Sequence, residues 1–217
     1  MKTMIKKFLL LIFILILSQK SFSADILKVF EFNEEEFKKL EVRKIKKKTT
    51  YTLGSNNKGN YLKAEAQGTA SGLGKELKIN LNKTPYINIT WKVEKDLSGL
   101  EENSKKGHDY AARVFVIKKT GATALSNRAI NYVFSSNNNI GENWSSPFTK
   151  KSIDYVLSTT KNHKNEWVTV KANVKEDFKT LHGLDVNELN GVAIMTDTDN
   201  SKLKAISYYQ NIYFSSE

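Results

Sequence analysis

Apolar and polar residues alternate in short runs along most of the chain, and this period of two limits the possible folds more than any other feature. The runs are Tyr61 to Ala66, Leu77 to Leu81, Ile87 to Val93, Tyr110 to Ile117, Ala129 to Phe134, Val168 to Val174, Val192 to Thr196 and Ala205 to Phe214. Clusters of Gly, Asn, Ser or Lys bound them, as expected of strands ended by turns. Strands in this number without helices between them predict an all-β fold, a jelly-roll-like antiparallel β-sandwich. One or two short helices are predicted beside it. Asn33-Glu34-Glu35-Glu36 has the form of a capping box, and Lys175 to His182 ends at Gly183, a residue suited to a helix C-terminus. With two prolines, no repeat of fixed period and no linker, residues 24 to 217 read as one domain.

Alternation also sorts side chains between the two faces of a strand. Ile87, Ile89, Trp91 and Val93 share a face, which predicts a core position for Trp91. Trp167 is predicted to be half-buried. In the last run Ile206, Tyr208, Ile212 and Phe214 are expected to point one way, with Tyr209, Asn211 and Tyr213 on a second face that could meet a ligand. The glycine-rich stretch Gly68 to Gly74 reads as turn chemistry, and Asn137 to Trp144 as a polar loop ending in an aromatic.

Residues 1 to 23 read as a cleavable export signal. Lys2, Lys6 and Lys7 precede the apolar run Phe8 to Leu17, and Ser21 and Ser23 are small residues at the positions a signal peptidase reads. The apolar run falls short of the roughly 20 residues that span a bilayer. The expectation is an exported, soluble protein, periplasmic or secreted, not anchored in a membrane. Losing the four lysines of this segment lowers the formal charge from +11 to +7. Outside the cytoplasm such a basic chain meets anionic glycans and envelope polymers, not nucleic acid. The densest basic run, Arg43 to Lys48, is expected to be a solvated strand or loop. Cysteine is absent, which excludes thiolate zinc sites, cysteine nucleophiles and disulfides.

The order Thr50-Tyr51-Thr52-Leu53, Leu62-Lys63-Ala64, Ala70-Ser71-Gly72-Leu73, Pro85, Trp91-Lys92-Val93 and Asp109-Tyr110-Ala111-Ala112-Arg113-Val114 continues through a second half. There it runs Tyr132-Val133-Phe134-Ser135, Asp177-Phe178, Val192 to Asn200 and Tyr208 to Phe214. Together these blocks resemble an uncharacterised bacterial family, domain of unknown function 3047, over nearly all of residues 24 to 217. Departures from the family pattern are Lys92 for arginine, Phe134 for tryptophan, and Ser201-Lys202 for a Thr-Gly turn. The resemblance implies an exported protein without assigned activity, in the jelly-roll set that includes many carbohydrate-binding modules.

The residues themselves nominate a site. Asp197 and Asp199 project from one face of an extended strand end with Asn200 beside them, an oxygen-rich group of the kind Ca²⁺ accepts. The competing reading is a polar turn whose carboxylates accept N–H bonds or pair with an arginine, and no cofactor is the favoured expectation. The calcium-loop pattern itself fails, with Lys202 at the glycine position. Asp109 and Arg113 share a face about 13 Å apart at strand spacing, too far to pair. A buried Arg113 would therefore need Asp197 or Asp199, because an unpaired interior charge is very costly. Trp144, Tyr209 and Tyr213 are the candidate aromatic platform for a sugar ring. No Gly-x-Ser-x-Gly elbow occurs, and His108, His163 and His182 read as surface residues. The leading expectation is a non-catalytic sandwich that binds a glycan or other anionic envelope ligand. A polysaccharide hydrolase using the acidic clusters and an envelope assembly or partner-binding protein are the rivals. Oligomeric state is not legible.

Overall fold

The alternating runs form the strands of two facing sheets. A computed structural model describes residues 24–123 and 126–217. The export signal read over Met1 to Ser23 lies outside them. The first sheet holds β1 (Ile26–Phe30), β3 (Thr50–Asn56), β4 (Gly59–Gln67), β6 (Tyr86–Lys95), β11 (Val168–Asn173) and β13 (Lys204–Ser215). The second holds β2 (Glu41–Lys44), β5 (Ala70–Asn80), β7 (Ala112–Lys118), β8 (Arg128–Ser135), β9 (Asn143–Ser146), β10 (Thr149–Thr159) and β12 (Glu188–Asp197). Strands run β11-β6-β13-β4-β3 in the first, with β1 also on β13, and β2-β5-β12-β7-β8-β10-β9 in the second. Neighbours are antiparallel apart from β8 and β10, which run parallel. This is a jelly-roll-like β-sandwich. Among the described residues no helix is long and apolar enough to cross a membrane.

Inward residues of the two sheets meet in one core. Leu62, Ile87, Ile89, Trp91, Tyr209, Ile212 and Phe214 face Leu73, Val114, Val116, Ile130, Tyr132, Phe134, Val192 and Ile194. Trp91 is fully buried, as its alternation predicts. Its ring packs 5.5 Å from that of Phe134, and its N–H donates to Ser158 Oγ at 2.9 Å, which satisfies the one polar atom of a large apolar side chain.

Two helices form, at both of the segments read for them. In α1 (Glu34–Lys39) Asn33 Oδ1 accepts the Glu36 N–H at 2.8 Å. The Glu36 carboxylate turns back past the cap to the N–H groups of Glu31 and Phe32. The second helix, α2 (Val174–His182), ends at Gly183 in the left-handed region, φ 66°. It buries Phe178 against one end of the sandwich and accepts the Tyr132 hydroxyl on Asp177.

Several sequence expectations need correction. The stretch read as glycine-rich turn chemistry is in large part strand β5, and β10, one of the longest strands, is missing from the predicted set. Trp144 lies within edge strand β9 and not at the tip of a loop. His108 is buried, where a surface position is expected. In β13 the register slips between Gln210 and Tyr213, and Asn211 sits at φ 48°. An extra residue of this kind shifts the alternation by one. Ala205, Ser207 and Tyr209 therefore point inward before the bulge, and Ile212 and Phe214 after it. Tyr209 is fully buried and Tyr208 takes the outer face.

Candidate functional site

The outward face of the second sheet is hollowed into a cleft of about 980 Å³. It crosses the sheet from Glu41 and Arg43 on β2 to Ser152 on β10. Five gaps between neighbouring strands at about 4.8 Å each make that span about 24 Å. Its floor is low because outward positions on the central strands carry small residues. Gly72 and Gly74 of β5 stand opposite Met195 and Ala193 of β12, and Gly191 opposite Glu76. A Cβ on Gly72 would lie 2.9 Å from the Ile194 carbonyl oxygen, so this position admits no side chain without a shift of the backbone.

Over this floor β7 raises Arg113, Phe115 and Ile117, β8 raises Ala129 and Asn131, and Asn127 stands just before β8. Phe115 is paired with Asn131 across the β7–β8 ladder. The Arg113 guanidinium lies between two rings, 5.2 Å from Tyr110 and 5.3 Å from Phe115. Phe148, 57 % exposed, stands edge-on to His108 at 5.4 Å. Two aromatic side chains thus line the cleft. Along its rim Lys75 bonds Glu36, and Lys119 bonds Glu76.

At one end of the cleft Arg113 pairs with Asp197 at 2.5 Å, and both are buried. The partner that a buried Arg113 requires is therefore Asp197. Asp109, Asp197 and Asp199 each hold a carboxylate oxygen within 4.8 Å of the others. Asp109 precedes β7 and accepts from Asn200 N at 3.2 Å, Asn200 Nδ2 at 2.9 Å and Ser201 N at 2.6 Å. It thereby ties the approach to β7 to the turn between β12 and β13. Burial pushes the Asp197 carboxyl up to about 7; Arg113 opposes the shift, while Asp109 and Asp199 add to it. Burial would lower the Arg113 pKa, but the surrounding carboxylates, Asp197 first, outweigh it and the net shift is upward. The oxygen-only trio is chemically of the kind Ca²⁺ accepts, although Asp109 and Asp197 are already engaged by protein donors.

A second buried carboxylate, Asp154, lies near enough to help raise the Arg113 pKa. Its Oδ2 meets His108 Nε2 at 2.7 Å and the Tyr110 hydroxyl at 3.3 Å, and its Oδ1 accepts Asn131 Nδ2 at 2.5 Å. Trp144, opposite Asp154 on β9, packs on a small cluster of Tyr110, Val133 and Val156 beside it.

The residues nominated by sequence thus separate. Arg113, Asp197, Asp199 and Asn200 line the cleft, and Asp109 lies buried against its end. Trp144 is half-buried at the neighbouring sheet edge. Tyr209 is in the core, where its hydroxyl donates to the Met195 carbonyl at 2.7 Å and accepts the Arg113 N–H at 3.2 Å. Tyr213 faces outward on the opposite sheet, beside Lys28 and Thr90. Sequence reasoning missed His108, Phe115, Asn131, Phe148 and Asp154. Alternation along β7 could have placed Phe115 beside Arg113, but nothing local to residues 108, 131 and 154 shows that they converge.

Residues 35–213 match the model of a family described as "Protein of unknown function (DUF3047)". No curated protein matches the chain. Among solved structures, the family 30 carbohydrate-binding module of the cellulosomal cellulase Cel9D-Cel44B of Clostridium thermocellum is similar with a TM-score of 0.51. Identity is 9 %, over 88 % of this chain and 98 % of that one. The xyloglucanase domain of NopAA, a type three effector from Sinorhizobium fredii, gives 0.46 at 11 % identity, over 81 % and 92 %. The family 11 module of Lic26A-Cel5E of C. thermocellum gives 0.44 at 13 %, over 88 % and 94 %. The first likeness agrees with the sandwich fold described above.

Proposed function

Because the chain belongs to the DUF3047 family, whose function is unknown, we propose its role from the cleft: it is an exported, non-catalytic protein that binds a glycan across its second sheet. The observation that carries this reading is the shape and lining of that surface. A groove about 24 Å long at strand spacing suits an extended chain better than a compact small molecule. Half-buried Phe115 and exposed Phe148 offer ring faces for the apolar side of a sugar, with polar side chains on either side of them. The carbohydrate-binding modules among the solved structures of similar fold agree with it. Export by the segment Met1 to Ser23 belongs to the same proposal.

Binding is favoured over hydrolysis by the state of the acidic residues. Asp197 is held by Arg113 and Asp109 by three donors, so two of the three clustered carboxylates that a hydrolase would draw on are engaged in structural bonds.

Affinity electrophoresis through gels containing soluble polysaccharides tests the reading. The folded protein should be retarded by at least one of them, and Phe115→Ala should weaken retention about tenfold, roughly 1.4 kcal/mol. Migration unaffected by every polysaccharide would remove the proposal. So would retention that Phe115→Ala leaves unchanged.

A further inference from the structure

Asp154 fixes the polarity of the groups that surround it. A carboxylate accepts hydrogen bonds, so the 2.5 Å contact must come from the Asn131 NH₂ group, and the amide orientation is settled. Asn131 Oδ1 is then turned away from Asp154, and it has no protein donor although it is buried. The same reasoning places the proton of His108 on Nε2, toward Asp154 at 2.7 Å. In the neutral ring Nδ1 is then an acceptor, and no group among the described residues bonds it. Both side chains line the cleft. One buried carboxylate has therefore set two acceptors in the wall of the same groove.

Unpaired buried polar atoms are rare and call for an explanation. Of the five such side-chain atoms among the described residues, Arg113 Nε, Asn127 Oδ1 and Asn131 Oδ1 belong to residues that line this cleft. Arg113 Nε is a donor, and Arg113 stands on β7 two positions before Phe115, the cross-strand partner of Asn131. Asn131 and Arg113 thus flank Phe115, and His108 stands against Phe148, the second aromatic ring of the cleft. Sugar hydroxyls both donate and accept, so separate hydroxyls of one glycan can donate to the two acceptors and accept from the donor. A carboxylate or phosphate only accepts when ionised, and would set its lone pairs against those of Asn131 and His108.

We propose, resting on the reading of the cleft as a glycan site, that Asp154 acts as a positioning residue that turns His108 and Asn131 into acceptors for sugar hydroxyls and so selects a neutral glycan over an acidic one. The basic balance of the chain then does not describe its ligand. Selection arises because a wrong ligand leaves buried polar groups unpaired, which discriminates more strongly than loss of apolar contact.

The test compares three soluble probes on the wild-type chain by affinity electrophoresis: a neutral glucan, polygalacturonate, and the same glucan after O-methylation. Methylation keeps the rings and their acceptor oxygens but removes the hydroxyl donors. The neutral glucan should be retained, with polygalacturonate and the methylated glucan at least tenfold weaker. His108→Phe, which keeps a ring against Tyr110 and Phe148, should lower affinity for the neutral glucan to a similar degree while its circular dichroism stays that of the wild type. Stronger retention by polygalacturonate, or equal retention of the methylated glucan, would overturn the selection and leave the glycan-binding reading standing. Retention by none of the three would overturn both.

Discussion

At the scale of single residues, Arg113 and Asp197 decide how the cleft end is held. One guanidinium stands among three mutually close carboxylates, so like-charge repulsion and burial together favour a proton on Asp197. Its carboxyl is pushed up to about 7, whereas an unfolded aspartate titrates near 3.9. Between those values the native state binds the extra proton. This part of the stability is therefore fully present at the acidic end of the window and is lost as pH rises through about 7. The melting temperature should fall by several degrees between pH 5.5 and pH 8, and Asp197→Asn should flatten that fall. A wild-type melting temperature that rises over this range in parallel with the variant would contradict the assignment. Arg113→Met, which leaves Asp197 buried without its cation, should cost about 3–5 kcal/mol in urea unfolding at pH 8, and less at pH 5.5. Of this end of the site the sequence shows much. The need of a buried Arg113 for Asp197 or Asp199 follows from charge alone. The Asp154 hub does not, because His108, Asn131 and Asp154 come from three separate segments and are joined only by the β7–β8–β10 arrangement.

At the scale of elements, β13 shows where alternation misleads. Its first half keeps a period of two with Ala205, Ser207 and Tyr209 inside, and the bulge at Asn211 restarts the count for Ile212 and Phe214. No change of composition marks the slip; asparagine tolerates φ 48°, which is permissive without being diagnostic. Asn211→Gly should be nearly neutral, while Asn211→Val should cost about 1–2 kcal/mol by chemical denaturation. An equal cost for both would mean that the side chain and not the backbone matters there. Strand β5 misleads in the opposite way. Gly72 and Gly74 read as turn residues, yet they occupy ladder positions opposite Met195 and Ala193. They are small because the cleft floor is there. Position 74 has an open side, the nearest atom to an added Cβ being Ala193 Cβ at 3.8 Å, so Gly74→Val should fold and raise the floor. Polysaccharide retention should drop at least tenfold with little change in melting temperature.

On the scale of the whole molecule, the two sheets have different outer faces. The first carries Tyr61, Trp167 and Tyr208 in mutual ring contact, with Lys92 4.3 Å from the Tyr208 ring centre. Lys92 lies over two of these rings, Trp167 and Tyr208. The second carries the cleft. Sandwich, helices and the core position of Trp91 follow from alternation, caps and turn residues, since these are local properties of the chain. The choice of sheet for a ligand follows from strand order, which alternation does not encode. The most direct test is nuclear magnetic resonance of the labelled protein titrated with a soluble oligosaccharide cut from whichever polysaccharide retains it. Shifted amides should concentrate on β5, β12, β7 and β8, around Gly74, Ala193, Phe115 and Asn131. Shifts gathered instead around Tyr61, Trp167 and Tyr208 would place the ligand on the opposite sheet and contradict the account.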